Sequence, residues 1–270
     1  MNVKTIVETI LQKCNVPPME QTCDQLIVGD WNAEVTGIAT TFMATVDVIK
    51  EAAAKGANLI ITHEPTFFTG WDKTEWLKDD PVYTGKQALI HQHQINIWRF
   101  HDHMHGSTPD LIYDGLIREL GWETYQNADD KHCFTIPKIS VVDLAEFLEE
   151  RLQVSVSRIV GAVNGSVERV GFLVGGGSLG LGREEMPMEL MNKANLDTIV
   201  CGEILEWTLA AYVHDAAQLA MNKSLIVLGH NRTEEVGMKH LVSWLQALFP
   251  KIPVDFIEAG DPFIYHVKPL

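Results

Sequence analysis

Residues 57–63 read Ala-Asn-Leu-Ile-Ile-Thr-His, an apolar run of strand length that ends directly in a histidine. The helix predicted before this run, Val46–Lys55, stops at Gly56. An apolar run of this length that follows a helix is typical of a buried parallel strand. The stretch therefore predicts an α/β sheet with His63 at the C-terminal end of one of its strands.

The same arrangement recurs at a second predicted strand, Ile95–Phe100, which reads INIWRF. This strand ends in a histidine-rich segment, residues 101–105, which reads HDHMH. If the segment continues the extended strand, its three histidines point to one face of the sheet and Asp102 points to the other. All four side chains can then reach one ion only if the chain turns at this point.

Hydrophobic periodicity predicts further helices and strands along the chain. In chain order they are helix Val3–Lys13, strand Val35–Ala39, helix Gly85–Gln92, helix Pro109–Leu120 with Thr108 as its N-cap, helix Val141–Leu152, strand Val170–Val174, helix Glu184–Asn192, strand Thr198–Val200, helix Thr208–Met221, strand Leu225–Leu228, and helix Glu234–Phe249 followed by two short strands. The alternation of helices and strands favours an α/β fold with two similar lobes. We assign residues 1–125, completed by residues 230–270, to the first lobe and residues 126–229 to the second.

The composition argues against membrane-spanning and nucleic-acid-binding classes. Hydrophobic residues make up 46% of the 270 residues, yet no apolar run reaches the roughly 20 residues needed to span a bilayer. The formal net charge of −15 and the lack of a lysine and arginine cluster argue against binding to nucleic acid. The first residues lack the features of a secretory signal, so we expect a cytoplasmic protein. The four cysteines form no CxxC pair, which favours buried free thiols over disulfides or a cysteine zinc site.

Histidines and carboxylates follow three of the predicted strands. They form the groups His63-Glu64, residues 101–105, and His230-x-x-x-Glu234. The C-terminal ends of strands form the ligand-binding edge of an open α/β sheet, and a mixture of imidazole and carboxylate suits Zn, Mn or Fe ions. The spacing of four residues also puts His230 and Glu234 on one face of a helix start. The sequence therefore predicts a metal site at these residues. Ordinary, non-ligand roles are expected for the remaining histidines, His91, His93, His132, His214, His240 and His266.

Five segments resemble those of one known family. They are ANLIITHEPTFF (57–68), INIWRFHDHMH (95–105), VGGGSLG (174–180), VCGEILEWT (200–208) and LGHNRTEEVGMKHL (228–241). Over nearly the whole chain they resemble the Nif three-like dinuclear metal-centre family, whose members are often labelled GTP cyclohydrolase I type 2. The resemblance implies two divalent metal ions. Their implied ligands are His63, Glu64, His101, His105, His230 and Glu234.

Two of these ligand positions depart from the family pattern. Glu64 stands where the family has a second histidine, and His105 stands where the family has a bridging aspartate. The total of nitrogen and carboxylate ligands is kept if Glu64 takes the bridging position and His105 becomes a terminal ligand. Asp102 is the alternative bridging ligand.

The resemblance also implies a fold, an assembly and an activity. The implied fold consists of two interlocked α/β lobes with the metal site between them, and the implied assembly is a toroidal homohexamer. The implied activity is hydrolysis by a metal-activated water, with a nucleotide such as GTP as the substrate and with Glu235, Asp102 or His103 transferring protons. The alternative is a non-catalytic metal-binding scaffold, or a metal carrier or insertion protein, because such a protein would share the same ligands.

Three weaker features each have two interpretations. The glycine loop at residues 175–178 is either a tight turn or a backbone that binds an anion. Glu203 either orients a ligand histidine or interacts favourably with a helix N-terminus. The aromatic residues that follow His63 either stack on a heterocyclic base or serve packing or an oligomer interface. These aromatic residues are Phe67, Phe68, Trp71 and Trp76.

Overall fold

The structure is a computed structural model that describes residues 1–266. The chain forms two compact units. The first unit contains Met1–Gly115 and Gly237–Asp261, and the second contains Leu116–Val236 and the described residues from Pro262 onward. Each unit has its own β-sheet with helices, so the predicted α/β class is confirmed.

The first unit is built on a five-stranded sheet. Its strands are β1 (Leu26–Val28), β2 (Ile38–Thr41), β3 (Leu59–Thr62), β4 (Asn96–Arg99) and β11 (Val254–Phe256). They lie in the order β1-β4-β3-β2-β11, in which β1 is antiparallel to β4 and the other neighbours are parallel. All four residues of β3 are buried, as the apolar run around them predicts. His63 follows this strand directly, as predicted.

Three helices that precede the histidine-rich segment at residues 101–105 begin at polar N-cap residues. They are α1 (Val3–Cys14), α2 (Val46–Ala54) and α3 (Pro81–Gln92). The side chain of Asn2 accepts a hydrogen bond from the Thr5 amide at the start of α1, and Thr45 caps α2 in the same way. Asp80 caps α3, and the next residue is a proline, which suits the first turn of a helix because its missing N–H has no helical partner there. The Val46–Lys55 prediction is confirmed to within one residue, whereas α3 begins four residues earlier than predicted.

The second unit is built on a six-stranded sheet. Its strands are β5 (Gln126–Asn127), β6 (Asp130–Ser140), β7 (Arg158–Gly161), β8 (Ser166–Leu173), β9 (Thr198–Cys201) and β10 (Ser224–Val227). They lie in the order β5-β6-β8-β9-β10-β7, with β8, β9 and β10 mutually parallel and the other pairs antiparallel. The sequence missed β5, β6 and β7, as it missed β1 in the first unit. These four strands have few fully buried residues, so they lack the apolar run that marks a central strand.

The remaining α-helices are α4 (Asp102–Gly106), α5 (Leu111–Leu120), α6 (Val141–Leu152), α7 (Met186–Lys193), α8 (Ala211–Gln218) and α9 (His230–Leu248). Helix α6 has the predicted bounds. The helix predicted for Thr208–Met221 is instead a π-helical turn, Glu206–Ala210, followed by α8, because Thr208 has non-helical dihedrals of φ −99° and ψ −121°.

Helix α9 begins at His230, four residues before the predicted start at Glu234. The Thr233 hydroxyl donates back to the carbonyl oxygen of His230 at 2.8 Å. This backward bond is made by a threonine inside a helix and not by a cap. His230 is therefore the first residue of α9 and does not lie before the helix.

The four cysteines are free and buried, as predicted. Among residues 1–266, no helix combines the length and the apolar character that crossing a membrane requires.

Candidate metal centre

The first candidate ligand, His63, is held in one orientation directly after β3. Its side chain is fully buried, and Nδ1 lies 3.1 Å from the carbonyl oxygen of Phe100. A carbonyl oxygen can only accept, so Nδ1 carries the proton and Nε2 carries the lone pair. His63 therefore presents the nitrogen that a metal ion would bind.

The segment after β4 turns into the short helix α4 and does not continue the extended strand. Asp24 is the cause. Its buried carboxylate accepts hydrogen bonds from the backbone amides of His101, Asp102 and His103 at 2.7–2.9 Å. These are the first amides of the helix, which otherwise have no acceptor. Because a helix replaces the strand, His101 and His105 share one face and His103 lies on another.

His101 and His105 are each held at Nδ1 by a carboxylate. Asp102 Oδ1 lies 3.0 Å from His101 Nδ1, and Asp110 Oδ2 lies 3.1 Å from His105 Nδ1. The other oxygen of Asp110 accepts from the amides of residues 112 and 113 at the start of α5. Asp110, and not the predicted Thr108, is thus the residue that caps this helix. Both ligand histidines present Nε2, as His63 does.

The three imidazoles of the first unit form one cluster. Ring centroids lie 4.5 Å apart for His63 and His101, 5.1 Å for His63 and His105, and 4.9 Å for His101 and His105. One ligand nitrogen from each lies within 4.8 Å of the others. Carboxylates or a carbonyl behind the ligand imidazoles are typical of metal sites, because they fix the ring tautomer and raise ligand basicity. The donor set therefore fits a divalent metal ion such as Zn²⁺.

Glu64 lies beside this cluster and is bound to an arginine that is not among the predicted site residues. Arg99 is almost fully buried, and its Nη2 lies 3.3 Å from Glu64 Oε2. The other oxygen, Glu64 Oε1, lies 3.6 Å from His101 Nε2. The signal for Arg99 was present in the sequence, since it is a charged residue within the apolar strand INIWRF.

Asp102, the alternative bridging ligand, is engaged on both oxygens. Oδ1 faces the His101 ring, while Oδ2 accepts from the Thr22 hydroxyl and the Cys23 amide, both at 2.8 Å. Burial by itself would raise the pKa of Asp102, but the hydrogen bonds from Cys23, His101 and Thr22 lower it to about 2. The Cys23 thiol also lies within metal-ligand reach of His101 and Asp102, and burial raises its pKa to about 12.

His103, predicted as a proton-transfer residue, is not part of the imidazole cluster of the first unit. Its Nδ1 lies 2.8 Å from Asp24 Oδ2, the same carboxylate that caps α4. The structure thus brings together His63, His101 and His105 and places His103 with Asp24.

The second unit holds the pair His230 and Glu234 one turn apart at the start of α9. His230 Nε2 lies 2.9 Å from Glu234 Oε2, so the prediction that both lie on one helix face is confirmed. Glu203 Oε1 lies 2.9 Å from His230 Nδ1. Of the two interpretations of Glu203, the structure has the contact expected for a residue that orients a ligand histidine.

The glycine loop approaches this pair closely. Gly175 has a φ of +51°, and a Cβ atom at this position would collide with Glu234 Oε1 and would lie 2.7 Å from His230 Nε2. The Gly175 amide donates to Thr233 Oγ1 at 2.9 Å. Glycine is therefore needed at this position both for its backbone conformation and for the space that it leaves.

Glu235 is a buried residue of α9. It is 5% exposed, and its Oε2 lies 3.7 Å from Nη1 of Arg232 in the preceding turn. Its role as a general base stays a prediction.

The aromatic residues after His63 divide into two groups. Phe67 is buried and packs edge-on against Tyr83 at 5.0 Å between ring centroids, which is a packing role. Phe68, Trp71 and Trp76 are more than half exposed.

The fold and these residues define an α/β protein that carries histidine and carboxylate clusters at strand ends in both units. The model of the DUF34/NIF3 (NGG1p interacting factor 3) family matches residues 1–262, and the chain belongs to this family. The predicted membership of the Nif three-like family is thereby confirmed.

The chain is similar in sequence to named relatives and similar in fold to solved structures. A Chlamydia pneumoniae protein named GTP cyclohydrolase 1 type 2 homolog is 26% identical over 247 residues, which cover 88% of this chain and 90% of that protein. A Bacillus cereus protein related to NIF3 has a similar fold, with a TM-score of 0.75 and 16% identity over 98% of this chain and 99% of that one. A hypothetical protein of Staphylococcus aureus is similar with a TM-score of 0.72 and 20% identity over 98% and 99% of the two chains.

Proposed function

We propose that the chain is a divalent-metal-dependent hydrolase that holds two ions, with Zn, Mn and Fe as the candidate metals. One observation carries the proposal: in all four candidate ligand histidines, Nδ1 lies within hydrogen-bond distance of a carbonyl or carboxylate oxygen, so Nε2 is the nitrogen presented as a ligand. The ligands assigned are His63, Glu64, His101, His105, His230 and Glu234.

The bound ions would supply Lewis acidity and a water of lowered pKa. The residues around them bind, orient and transfer protons. The carboxylates behind the histidines, Asp102, Asp110 and Glu203, fix the imidazole tautomers. Of the three proton-transfer candidates, Asp102 and His103 are engaged in the hydrogen bonds that build the turn at α4. Glu235 is therefore the first candidate to test as the general base.

A nucleotide is the substrate class that the family points to, and GTP is its first member to test. The named relative in Chlamydia pneumoniae is a GTP cyclohydrolase 1 type 2 homolog. A reaction of this kind needs attack by water at the purine C8 and opening of the ring. The formal net charge of −15 would repel an anionic nucleotide, so bound cations would also serve to offset that charge.

A metal-binding scaffold, or a metal carrier or insertion protein, is the second candidate function. One observation favours it. Asp102 is hydrogen-bonded to Thr22 and Cys23, and His103 is hydrogen-bonded to Asp24, so both proton-transfer candidates have structural roles. A protein that stores or transfers ions needs the ligands but needs no proton-transfer group. Under both proposals, the protein is a homohexamer in the cytoplasm. Light scattering on the purified protein would measure the number of chains in the assembly.

Elemental analysis of metal per chain tests the proposal. The variants are His101→Ala with His105→Ala in the first unit, His230→Ala with Glu234→Ala in the second, and the exposed His214→Ala as a matched control. We expect about two ions per chain in the wild type and in the control, and a loss of bound metal in each paired variant. Consumption of GTP and of phosphoesters is measured on the same samples.

Each outcome has a distinct meaning. Turnover that disappears together with the metal supports the hydrolase. Stably bound metal without turnover of any tested nucleotide or phosphoester supports the scaffold or carrier. A wild-type protein that neither retains metal through purification nor takes it up when metal is added contradicts both proposals.

A further inference from the structure

We propose that Arg99 is the positioning residue of the Glu64 carboxylate and makes Glu64 a one-oxygen ligand of the ion held by the first-unit imidazoles. This inference rests on the proposed metal-binding function and adds to it a residue outside the predicted site. It concerns one of the two positions at which this chain departs from the family pattern.

The strand register places Arg99 where it can act on Glu64. Arg99 is the last residue of β4 and pairs with Thr62, the last residue of the neighbouring parallel strand β3. The side chain of Arg99 therefore reaches the residues that directly follow β3. Its Nε donates to the carbonyl oxygen of His63 at 3.1 Å, and its Nη2 donates to Glu64 Oε2 at 3.3 Å.

The guanidinium is held on its third nitrogen as well. Nη1 donates to the carbonyl oxygen of Gly70 and lies 3.9 Å from the buried carboxylate of Asp72. A guanidinium is planar and always charged, so a group fixed at three nitrogens has one orientation and cannot turn away from Glu64. The exposed fraction of Arg99 is 3%, which leaves it no room to do so.

The two carboxylate oxygens of Glu64 have different neighbours. Oε2 is bound to Arg99, whereas Oε1 faces His101 Nε2 at 3.6 Å. A carboxylate held in this way offers one oxygen toward the imidazole cluster. Bidentate binding, or a bridge that uses both oxygens, would require the hydrogen bond between Arg99 and Glu64 to break.

A double-mutant cycle on metal affinity tests the inference. The proteins are wild type, Arg99→Lys, Glu64→Ala and the double variant, and the probe is Zn²⁺ in competition with a chelating dye. Replacing a residue that orients a ligand weakens metal binding by about 10- to 100-fold, and we expect a loss of this size for R99K. In the E64A background the same substitution is expected to change the affinity by less than about threefold, because the carboxylate that Arg99 positions is gone.

Asp72→Asn provides the matched control, because it removes another charge near Arg99 but none of the three hydrogen bonds that fix the guanidinium, which go to His63, Gly70 and Glu64. We expect near wild-type Zn²⁺ affinity for D72N. The visible absorption of bound Co²⁺ gives a second readout, which reports the ligand set and is expected to change in R99K and not in D72N. If R99K fails to fold, Arg99→Met with Asp72→Asn removes both buried charges and is expected to show the same loss of affinity.

The outcomes distinguish a failure of the Arg99 inference from a failure of the proposed metal-binding function. Wild-type affinity in R99K, or an equal loss in both backgrounds of the cycle, contradicts the positioning role of Arg99 while metal binding itself stands. A wild type that binds no Zn²⁺ contradicts the proposed function, and the inference falls with it.

Discussion

Glu203 Oε1 lies 2.9 Å from Nδ1 of His230, and the opposite nitrogen of the same ring lies 2.9 Å from Glu234 Oε2. The imidazole thus lies between two carboxylates that are 27 residues and 4 residues away along the chain. A carboxylate on Nδ1 strengthens an imidazole as a ligand through Nε2, because it stabilises positive charge on the ring. The same relationship joins Asp110 and His105 in the first unit.

Glu203→Ala is expected to weaken metal binding by about 10- to 100-fold. The side chain of Glu203 is about half exposed, so the melting temperature of the metal-free protein is expected to change little. Glu206→Ala removes an exposed glutamate three residues away and serves as the control. Competition with a chelating dye measures the affinity. Equal affinities for both variants would show that Glu203 does not orient the ligand.

Asp110→Asn is expected to separate helix capping from metal binding. Asparagine caps helices as well as aspartate does, so stability is expected to change by less than about 0.5 kcal/mol. Asparagine has one side-chain oxygen. If that oxygen accepts from the amides of residues 112 and 113, the NH₂ group faces His105 and favours the tautomer with its proton on Nε2. Metal affinity is therefore expected to fall by about tenfold or more.

Asp110→Ala is the comparison variant, because it removes the cap and the contact with His105 together. It is expected to lose about 1 kcal/mol of stability in addition to metal affinity. Urea unfolding of the metal-free proteins measures the stability. If D110N binds metal as tightly as the wild type, the Asp110 to His105 contact has no part in metal binding.

The features that the sequence predicts well are those that depend on local signals. The apolar run before His63 identifies β3, and the polar and apolar pattern of Val141–Leu152 gives α6 with its true bounds. The spacing between His230 and Glu234 is also a local signal, because it needs only the geometry of one helix turn. Four of the predicted ligands are placed by such signals: His63 and Glu64 follow β3, and His230 and Glu234 lie at the start of α9.

The features that the sequence did not reveal depend on contacts between distant residues. The turn at α4 follows from hydrogen bonds between Asp24 and the amide of His101, 77 residues apart. Nothing local to the HDHMH segment distinguishes a helix from a continued strand. The contact between Arg99 and Glu64 likewise spans 35 residues and requires the pairing of β3 with β4. A single sequence without the fold does not supply such contacts.

Gly175→Ala is expected to abolish or strongly reduce metal binding by the second unit. Its new Cβ would collide with Glu234 Oε1 and press on His230 Nε2, so the two side chains must move apart. Gly182→Ala is the matched control, because Gly182 also has a positive φ, of +94°, but a methyl group added there would meet nothing within 4 Å. Both variants carry the backbone cost of a left-handed alanine, about 1–2 kcal/mol. Metal content that falls equally in both would assign the effect to backbone strain and not to the collision.

Lys86 is a buried lysine, and burial of its positive charge destabilises the fold. Its Nζ donates to the carbonyl oxygen of Thr66 at 2.6 Å and lies 5.5 Å from the ring centroids of Phe67 and Phe68. Burial lowers the pKa of Lys86 to about 8, although the nearby carboxylate of Asp72 acts in the opposite direction. Asp72 also lies near the guanidinium of Arg99, so its carboxylate interacts with two cations.

The contribution of Lys86 to the stability of the protein is therefore expected to rise with pH between about 8 and 10.5, the folded and reference pKa values of this lysine. In that range the unfolded chain keeps the proton that the folded chain has released, so the free energy of unfolding increases. Below pH 8 both states are protonated and the destabilisation is fully present. Other groups titrate in the same range, and for that reason the measured quantity is the difference between the wild type and Lys86→Met, which removes this titration. Urea unfolding of the metal-free proteins at pH 7, 8, 9 and 10 is expected to show this difference shifting in favour of the wild type by about 2 kcal/mol. A difference that stays constant with pH would mean that Lys86 titrates as an exposed lysine does and that its burial costs the fold nothing.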